Sequence, residues 1–302
     1  MDNITFPDTI KSIVIYNASF GTRELARALL YAIRAVYPAP QHVSIAGSFE
    51  NNRDDILYII ICPAGFGASN ISKGPKYYIN YQLEPTFALD RLTYLPLLSA
   101  AICNWDYCQY NVQYLTSLHN IKSLYVPVGY TPSISTDDIL IESTMYSEQD
   151  KDIDVLFLGY CEAYPRRLKI RDDLYRRGLR IWFVSDLDLI GMQKAIKRAR
   201  VCLNFHNADN MNSLETIRLN ILLSNYACIV SEEVKASERD QYKDVVIFTS
   251  YDKLVDKCCE LKGQVEQRLS QAIKSYQWYI TKRRWNDIVD FNKLLPLCAN
   301  NN

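Results

Sequence analysis

Val201-Cys-Leu-Asn-Phe-His206, a polar loop over 207–212, then Ser213-Leu-Glu-Thr-Ile-Arg-Leu-Asn-Ile-Leu-Leu-Ser224 and Cys228-Ile-Val-Ser-Glu232 read as strand, loop, helix and strand. The first run is apolar and short, as in a strand buried in a sheet, and it delivers Asn204 and His206 to the sheet rim. Ser213 is placed to cap the helix, and Glu215 falls in its first turn, where the helix dipole favours a carboxylate. Glu215 and Arg218 are three apart and share a face. Strands joined through a helix are the units of a parallel sheet flanked by helices.

The same alternation extends both ways. In the second half, strands are expected at 155–158, 179–184, 201–205, 227–231 and 245–249, with helices at 166–176, 189–199 and 214–223 and a helical stretch over 252–297. In the first half, strands are expected at 12–16, 56–62, 76–82, 100–104 and 123–126, with helices at 22–36 and 110–118. Residues 131–152 are polar and broken, without a sustained period, and read as a linker. The expected domains are 1–135 and 151–280, with a last helix at 281–302 packing on the first. The fold class is therefore α/β, with two Rossmann-like domains facing a cleft. Ligands of such sheets bind beyond the carboxyl ends of the strands.

Composition narrows the function. The 302 residues carry 34 Lys+Arg against 34 Asp+Glu, so the chain lacks the general basic footprint of a nucleic-acid or anionic-membrane protein, and any anion must be held locally. The longest apolar run, 56–62, is too short to span a bilayer, and the N-terminus does not read as a secretory signal. A cytoplasmic location is the expectation. Nine scattered cysteines match neither a disulfide framework nor zinc spacing, and three histidines leave little for a metal centre, so no metal and no cofactor are expected.

Several residues carry candidate chemistry. Gly21 follows the first strand and precedes a helix, where backbone comes close to a phosphate or sugar; a plain turn is the competing reading. That loop lacks the glycines of a dinucleotide fingerprint and the Gly-Lys-Ser/Thr of a phosphate loop. Glu215 suits both hydroxyls of a ribose, with free helix amides and an arginine neutralising a diphosphate, or it is an ordinary helix acid paired with Arg218. His206 is read beside it either as a site residue or as a satisfied structural one. Arg166 and Arg167, after the Gly159 turn, suit bidentate diphosphate binding, or form a solvated face with Lys169 and Arg171. Glu84 and Asp106 end two strands of the first domain, where a general base would stand; Asp106 reads equally as a helix cap and Glu84 as a buried partner for an arginine.

Asp154-Val-Leu-Phe-Leu-Gly159, Pro165-Arg-Arg167, Leu-Asn-Phe-His206, Leu-Glu-Thr-Ile-Arg218 and Cys-Ile-Val-Ser-Glu232 resemble the donor-binding half of GT-B fold glycosyltransferases, closest to the small two-domain spore-maturation and capsule-type enzymes. Tyr77-Tyr-Ile-Asn-Tyr-Gln-Leu-Glu-Pro85, Asn104-Trp-Asp-Tyr107 and Tyr125-Val-Pro-Val-Gly-Tyr130 occur in the order of that group. The resemblance implies a nucleoside diphosphate-sugar donor on the C-terminal domain, a glycan or glycosylated acceptor on the N-terminal one, and metal-independent transfer. It also implies C-terminal helices crossing back to the first domain. By that likeness Glu215 matches the second acid of a paired-glutamate signature, the one that holds the ribose. The first acid is absent, since Asn207 and Ala208 stand there with Asp209 near, and the glycine of the next turn is replaced by Asn225-Tyr226, with Asn225 expected to be left-handed. A silent nucleotide-sugar or glycan binder on this scaffold is the alternative. A Rossmann-type methyltransferase is disfavoured by the missing glycine-rich loop.

Overall fold

The computed structural model describes residues 10–17, 19–37, 42–50, 53–61, 74–85, 95–135, 148–209, 211 and 213–299. The chain divides into two units, Met1–Ser133 with Trp285–Asn302, and Ile134–Arg284.

The first unit is built on a parallel sheet of β1 (Ser12–Asn17), β2 (Val43–Ala46), β3 (Ile56–Ile61), β4 (Tyr78–Gln82), β5 (Cys103–Asp106) and β6 (Ser123–Tyr125), in the order β2-β1-β3-β4-β5-β6. β3 is buried at every position, which is why it reads as an unbroken apolar run, and Ile59 lies opposite Ile15 and Ile79. Helix α1 (Arg23–Val36) turns Leu25, Ala28, Leu29, Ala32 and Ile33 inward and keeps Arg27 and Tyr31 outside. α2 (Leu95–Ala100) and α3 (Gln109–His119) complete the middle of the unit. The chain returns to this unit at its end as α10 (Trp285–Ile288) and α11 (Phe291–Ala299). There the Trp285 amide donates to the Tyr130 carbonyl, Asn286 Nδ2 donates to the Ala32 carbonyl, and the Phe291 ring lies 6.0 Å from that of Trp105.

The second unit has β7 (Ile153–Leu158), β8 (Ile181–Val184), β9 (Ala199–Asn204), β10 (Ile229–Glu232) and β11 (Ile247–Thr249), all parallel, in the order β11-β10-β9-β7-β8. Its helices are α4 (Pro165–Arg176), α5 (Leu189–Arg198), α6 (Thr216–Leu223), α7 (Ala236–Tyr242), α8 (Leu254–Lys262) and α9 (Val265–Lys282). Val155, Phe157, Val201, Leu203, Phe205 and Val230 meet Ile170 and Leu174 of α4 and Leu254, Cys258 and Leu261 of α8 in one core. At the amino end of β7, Asp154 is wholly buried among Arg180, Arg200 and Lys262. Burial opposes its charge, but hydrogen bonds from Arg180 and Lys262 outweigh that and hold the carboxyl well below the usual range.

Both sheets reverse direction once. The chain runs from β1 outward to β2, then crosses to β3 on the other side, and does the same from β7 to β8 to β9. The crevices past the carboxyl ends of β1/β3 and β7/β9 are thus topological switch points, the places where ligands of open α/β sheets bind.

The structure departs from the sequence reading at several elements. β2 was not expected; two of its four residues are exposed and it carries no apolar run. The strand expected at 100–104 starts at Cys103, because Leu95–Ala100 forms a helix that buries Leu97 and Leu98. Of the linker expected at 131–152, residues 131–133 belong to the first unit, and the described residues from Ile134 onward are held to the second. Asn225 Nδ2 and Ser135 Oγ anchor residues 134–135, Glu148 pairs with Arg200 and Arg268, and Lys151 Nζ donates to the carbonyls of Lys197 and Ala199; 136–147 lie outside the described residues. Finally, the left-handed residue after α6 is Tyr226 (φ 55°), not Asn225. Asn225 spends its side-chain amide on the carbonyls of Ile221 and Ile134, and the Tyr226 ring stacks on Tyr276 at 3.7 Å, which offsets the strain.

Candidate functional site

The β7/β9 crevice is organised around arginine. Arg218, in the first turn of α6, donates through Nε to the Leu158 carbonyl (2.7 Å) and through Nη1 to Asn204 Oδ1 (2.8 Å), so one guanidinium ties the end of β7 to the end of β9. It lies over the Phe157 ring at 4.6 Å. Gly159 is needed here for space: a Cβ would fall 2.9 Å from two atoms of that ring and 3.2 Å from Arg218 Nη2. Burial lowers the Arg218 pKa to about 10, with the Glu215 carboxylate, 3.9 Å away, opposing the fall.

Arg167 also lies over the Phe157 ring, at 5.1 Å. It is 5% exposed, donates through Nη1 to the Tyr160 carbonyl (2.7 Å), and has a buried Nε without a hydrogen-bond partner. Burial lowers its pKa, opposed chiefly by the Glu215 carboxylate, whose side chain is 25% exposed. Thr216 Oγ1 and Asn207 Oδ1 are likewise buried and unpaired, and Glu215, at the N-cap of α6, makes no side-chain cap bond. Two guanidiniums, one shared carboxylate and unsatisfied polar atoms on the loop after β9 and at the start of α6 form a cluster that suits an anion carrying hydroxyl groups.

Arg166 behaves differently from its neighbour. It makes a two-armed salt bridge with Glu232 at the end of β10, a further one with Asp209, and a hydrogen bond to the His206 carbonyl, and it stacks on Tyr251 at 3.7 Å. The same Glu232 accepts from the His206 amide and faces His206 Nδ1, both at 3.1 Å, while His206 Nε2 faces the Ser213 carbonyl at 2.8 Å. Burial opposes charge on Glu232, but His206 and Arg166 bring its pKa down to about 2. Of the expected pair, then, Arg166 has its charge met by carboxylates and Arg167 does not. Ser213 does not cap α6; its carbonyl serves His206 and Glu215 takes the cap position. Glu232 was not singled out from sequence, although a charged residue closing an apolar strand was the signal for it.

In the first unit, Glu84 stands two residues past the end of β4 and Asp106 is the last residue of the adjacent β5, opposite Gln82 in the register. Asp106 is 0% exposed, and its Oδ1 accepts from the Cys108 amide and from Asn111 Nδ2, closing the turn into α3. The structure therefore favours its turn-capping reading over a base that meets substrate. Glu84 is half-buried, and Asn111 Nδ2 and Gln82 Nε2 donate to its carbonyl. Gly21 sits in a 3-10 turn, Phe20–Thr22, locked by Thr22 Oγ1 donating to Asn17 Oδ1 (2.6 Å). A Cβ at Gly21 would meet only Ser19 Oγ at 3.9 Å, so no close approach demands glycine. The second loop at this rim, 63–67, lies outside the described residues. Among the described residues no group of three or more His, Cys, Asp or Glu could hold a metal ion, and no helix is long and apolar enough to cross a membrane.

No family model matches the chain. A curated relative, uncharacterized protein R358 of Acanthamoeba polyphaga mimivirus, is 24% identical over 178 residues, 57% of each chain, so the match spans little more than half of that protein. Among solved structures, the chain is similar to sucrose-phosphate synthase of Thermosynechococcus elongatus (TM-score 0.59, 10% identity, 92% and 96% of the two chains covered). It is also similar to an alpha-glucosyltransferase in complex with UDP and a DNA 13-mer containing a HMU base (0.58, 9%, 95% and 98%). Anabaena HepE in complex with UDP is a third (0.52, 9%, 91% and 96%). The fold is the GT-B fold, two Rossmann-like α/β domains, as the sequence resemblance implied.

Proposed function

We propose that the protein transfers a sugar from a nucleoside diphosphate-sugar to a hydroxyl of a glycan or glycosylated acceptor. The observation that carries this is the β7/β9 crevice, where Arg167 and Arg218 are buried beside a single carboxylate and Arg167 Nε has no partner. The GT-B fold supports it, as do the UDP complexes of two similar structures.

In this reading the diphosphate lies on Arg167 and the Thr216 hydroxyl, with Arg218 beside them, and Glu215 accepts the ribose hydroxyls. As the bond from the sugar's anomeric carbon to the phosphate oxygen breaks, negative charge grows on the departing diphosphate. The guanidiniums are fixed beforehand to meet it, a role a metal ion fills in other enzymes. Where transfer inverts configuration, Glu84, the more accessible of the two strand-end acids, takes the proton of the acceptor hydroxyl; retention needs no such base. The charge balance of zero speaks for a carbohydrate acceptor rather than DNA, whose phosphates call for a basic track. The second reading, a silent nucleotide-sugar binder, is favoured by the burial of Asp106.

Thermal shift and calorimetric titration with UDP, GDP and ADP test the donor site: one of them should stabilise the protein by about 2.7 kcal/mol at a hundredfold excess over Kd. Arg167→Ala and Glu215→Ala should each weaken that binding about tenfold or more, the cost of a lost charge-assisted hydrogen bond. Glu84→Gln should leave binding intact and slow turnover. Hydrolysis of the matching nucleotide-sugar separates an enzyme from a silent binder. Stabilisation by S-adenosylmethionine alone would end this reading.

A further inference from the structure

We infer that Glu232 is a positioning residue for the donor site, acting through Arg166 and His206 without touching the ligand; the inference rests on the reading above. Its carboxylate gathers three segments that bear the crevice groups. Through both arms of Arg166 it holds the start of α4, where the next residue is Arg167. Through the backbone and ring of His206 it holds the loop after β9, where the next residue is Asn207. Through the His206 ring it also reaches the Ser213 carbonyl, two residues before Glu215. Tyr251 closes the cluster, stacking on Arg166 and donating its hydroxyl to the Arg166 carbonyl.

The charges explain why this carboxylate has to be there. Arg166 and Arg167 are consecutive on α4 and so point about 100° apart; Glu232 meets the charge of Arg166, to which Asp209, with a side chain 90% exposed, adds little. With Glu232 ionised, Arg166 is neutralised and immobilised, and Arg167 alone of the two meets the ligand. Directed donors of this kind need a rigid support to hold their geometry.

Glu232→Gln keeps the shape and removes the charge. With UDP as the probe, or GDP or ADP if either stabilises the wild type more, Kd should rise about tenfold, the scale of a lost charge-assisted hydrogen bond. KM for the matching nucleotide-sugar in the hydrolysis assay should rise with it and kcat should fall, because a displaced Arg167 meets neither the bound diphosphate nor the charge that grows on it as it leaves. Glu232→Gln combined with Arg166→Gln should be no worse than the stronger single change, because both break one unit. In ligand-free protein, amide exchange should quicken in 206–209 and 213–219. If Glu232→Gln does not fold, Arg166→Lys, which loses the two-armed geometry, should show the same changes in smaller degree. Wild-type binding with unchanged Kd and unchanged exchange in the variant would overturn the inference alone, as would additive losses in the double variant. A wild type that binds no nucleoside diphosphate would instead remove the reading on which it rests.

Discussion

Gly159 shows how one residue joins the chain's local geometry to its chemistry. In the sequence it is a glycine after an apolar strand and reads as a turn. In the fold it is the position where a side chain would strike the buried Phe157 ring and the Arg218 guanidinium. Gly159→Ala should therefore destabilise the second unit by about 1–3 kcal/mol, the usual cost of overpacking, and weaken nucleotide binding by displacing Arg218. A melting curve and a UDP titration on the same variant check both, and an alanine tolerated on both counts would refute the close-approach argument. The Glu215–Arg218 pair was legible because three residues on a helix define a face whatever the surroundings. The fate of Arg166 was not, since its partner lies 66 residues away and is chosen by the order of strands in the sheet.

At the scale of elements, long periodic helices and buried strands were readable and short exposed ones were not. α1 and α4 fall within a residue of their expected starts, because apolar period and Pro165 at the head of α4 are local signals. β2 and α7 were missed, the one a half-exposed edge strand and the other a seven-residue helix burying only Tyr242. The end of α6 is instructive: asparagine is the better left-handed residue, yet Tyr226 adopts that conformation because its ring gains a stack on Tyr276. Tyr226→Ala should lose the stack and keep the strain, whereas Tyr226→Gly loses the stack and the strain together. Denaturant unfolding should then find the glycine variant more stable than the alanine one by about 1 kcal/mol, and the reverse order would contradict the left-handed assignment.

Across the whole molecule, acid sensitivity should be uneven. Glu232, Glu148 and Asp154, all in the second unit, have lowered pKa values, so each adds stability above its unfolded value and loses it as pH falls toward its folded value. For Glu232, a fall from 4.5 to about 2 corresponds to about 3 kcal/mol at about 1.4 kcal/mol per unit. Amide exchange followed from pH 5 to 2.5 should show the second unit opening progressively, and a flat response there would refute the ionic account of that unit. By itself the sequence determined that the chain makes two parallel α/β sheets, where their strands end and which helix starts bear arginine and acid, because apolar runs, helical period and turn residues act over a few positions. Only the tertiary structure decided that β7 and β9 are neighbours at a switch point, that Arg166 belongs to Glu232 while Arg167 keeps an unpaired Nε, and that Asp106 is buried at the end of β5, its carboxylate closing the turn into α3. Those outcomes depend on which distant segments come to lie side by side, and on the cost of burying a charge without a partner, neither of which any local stretch of sequence contains.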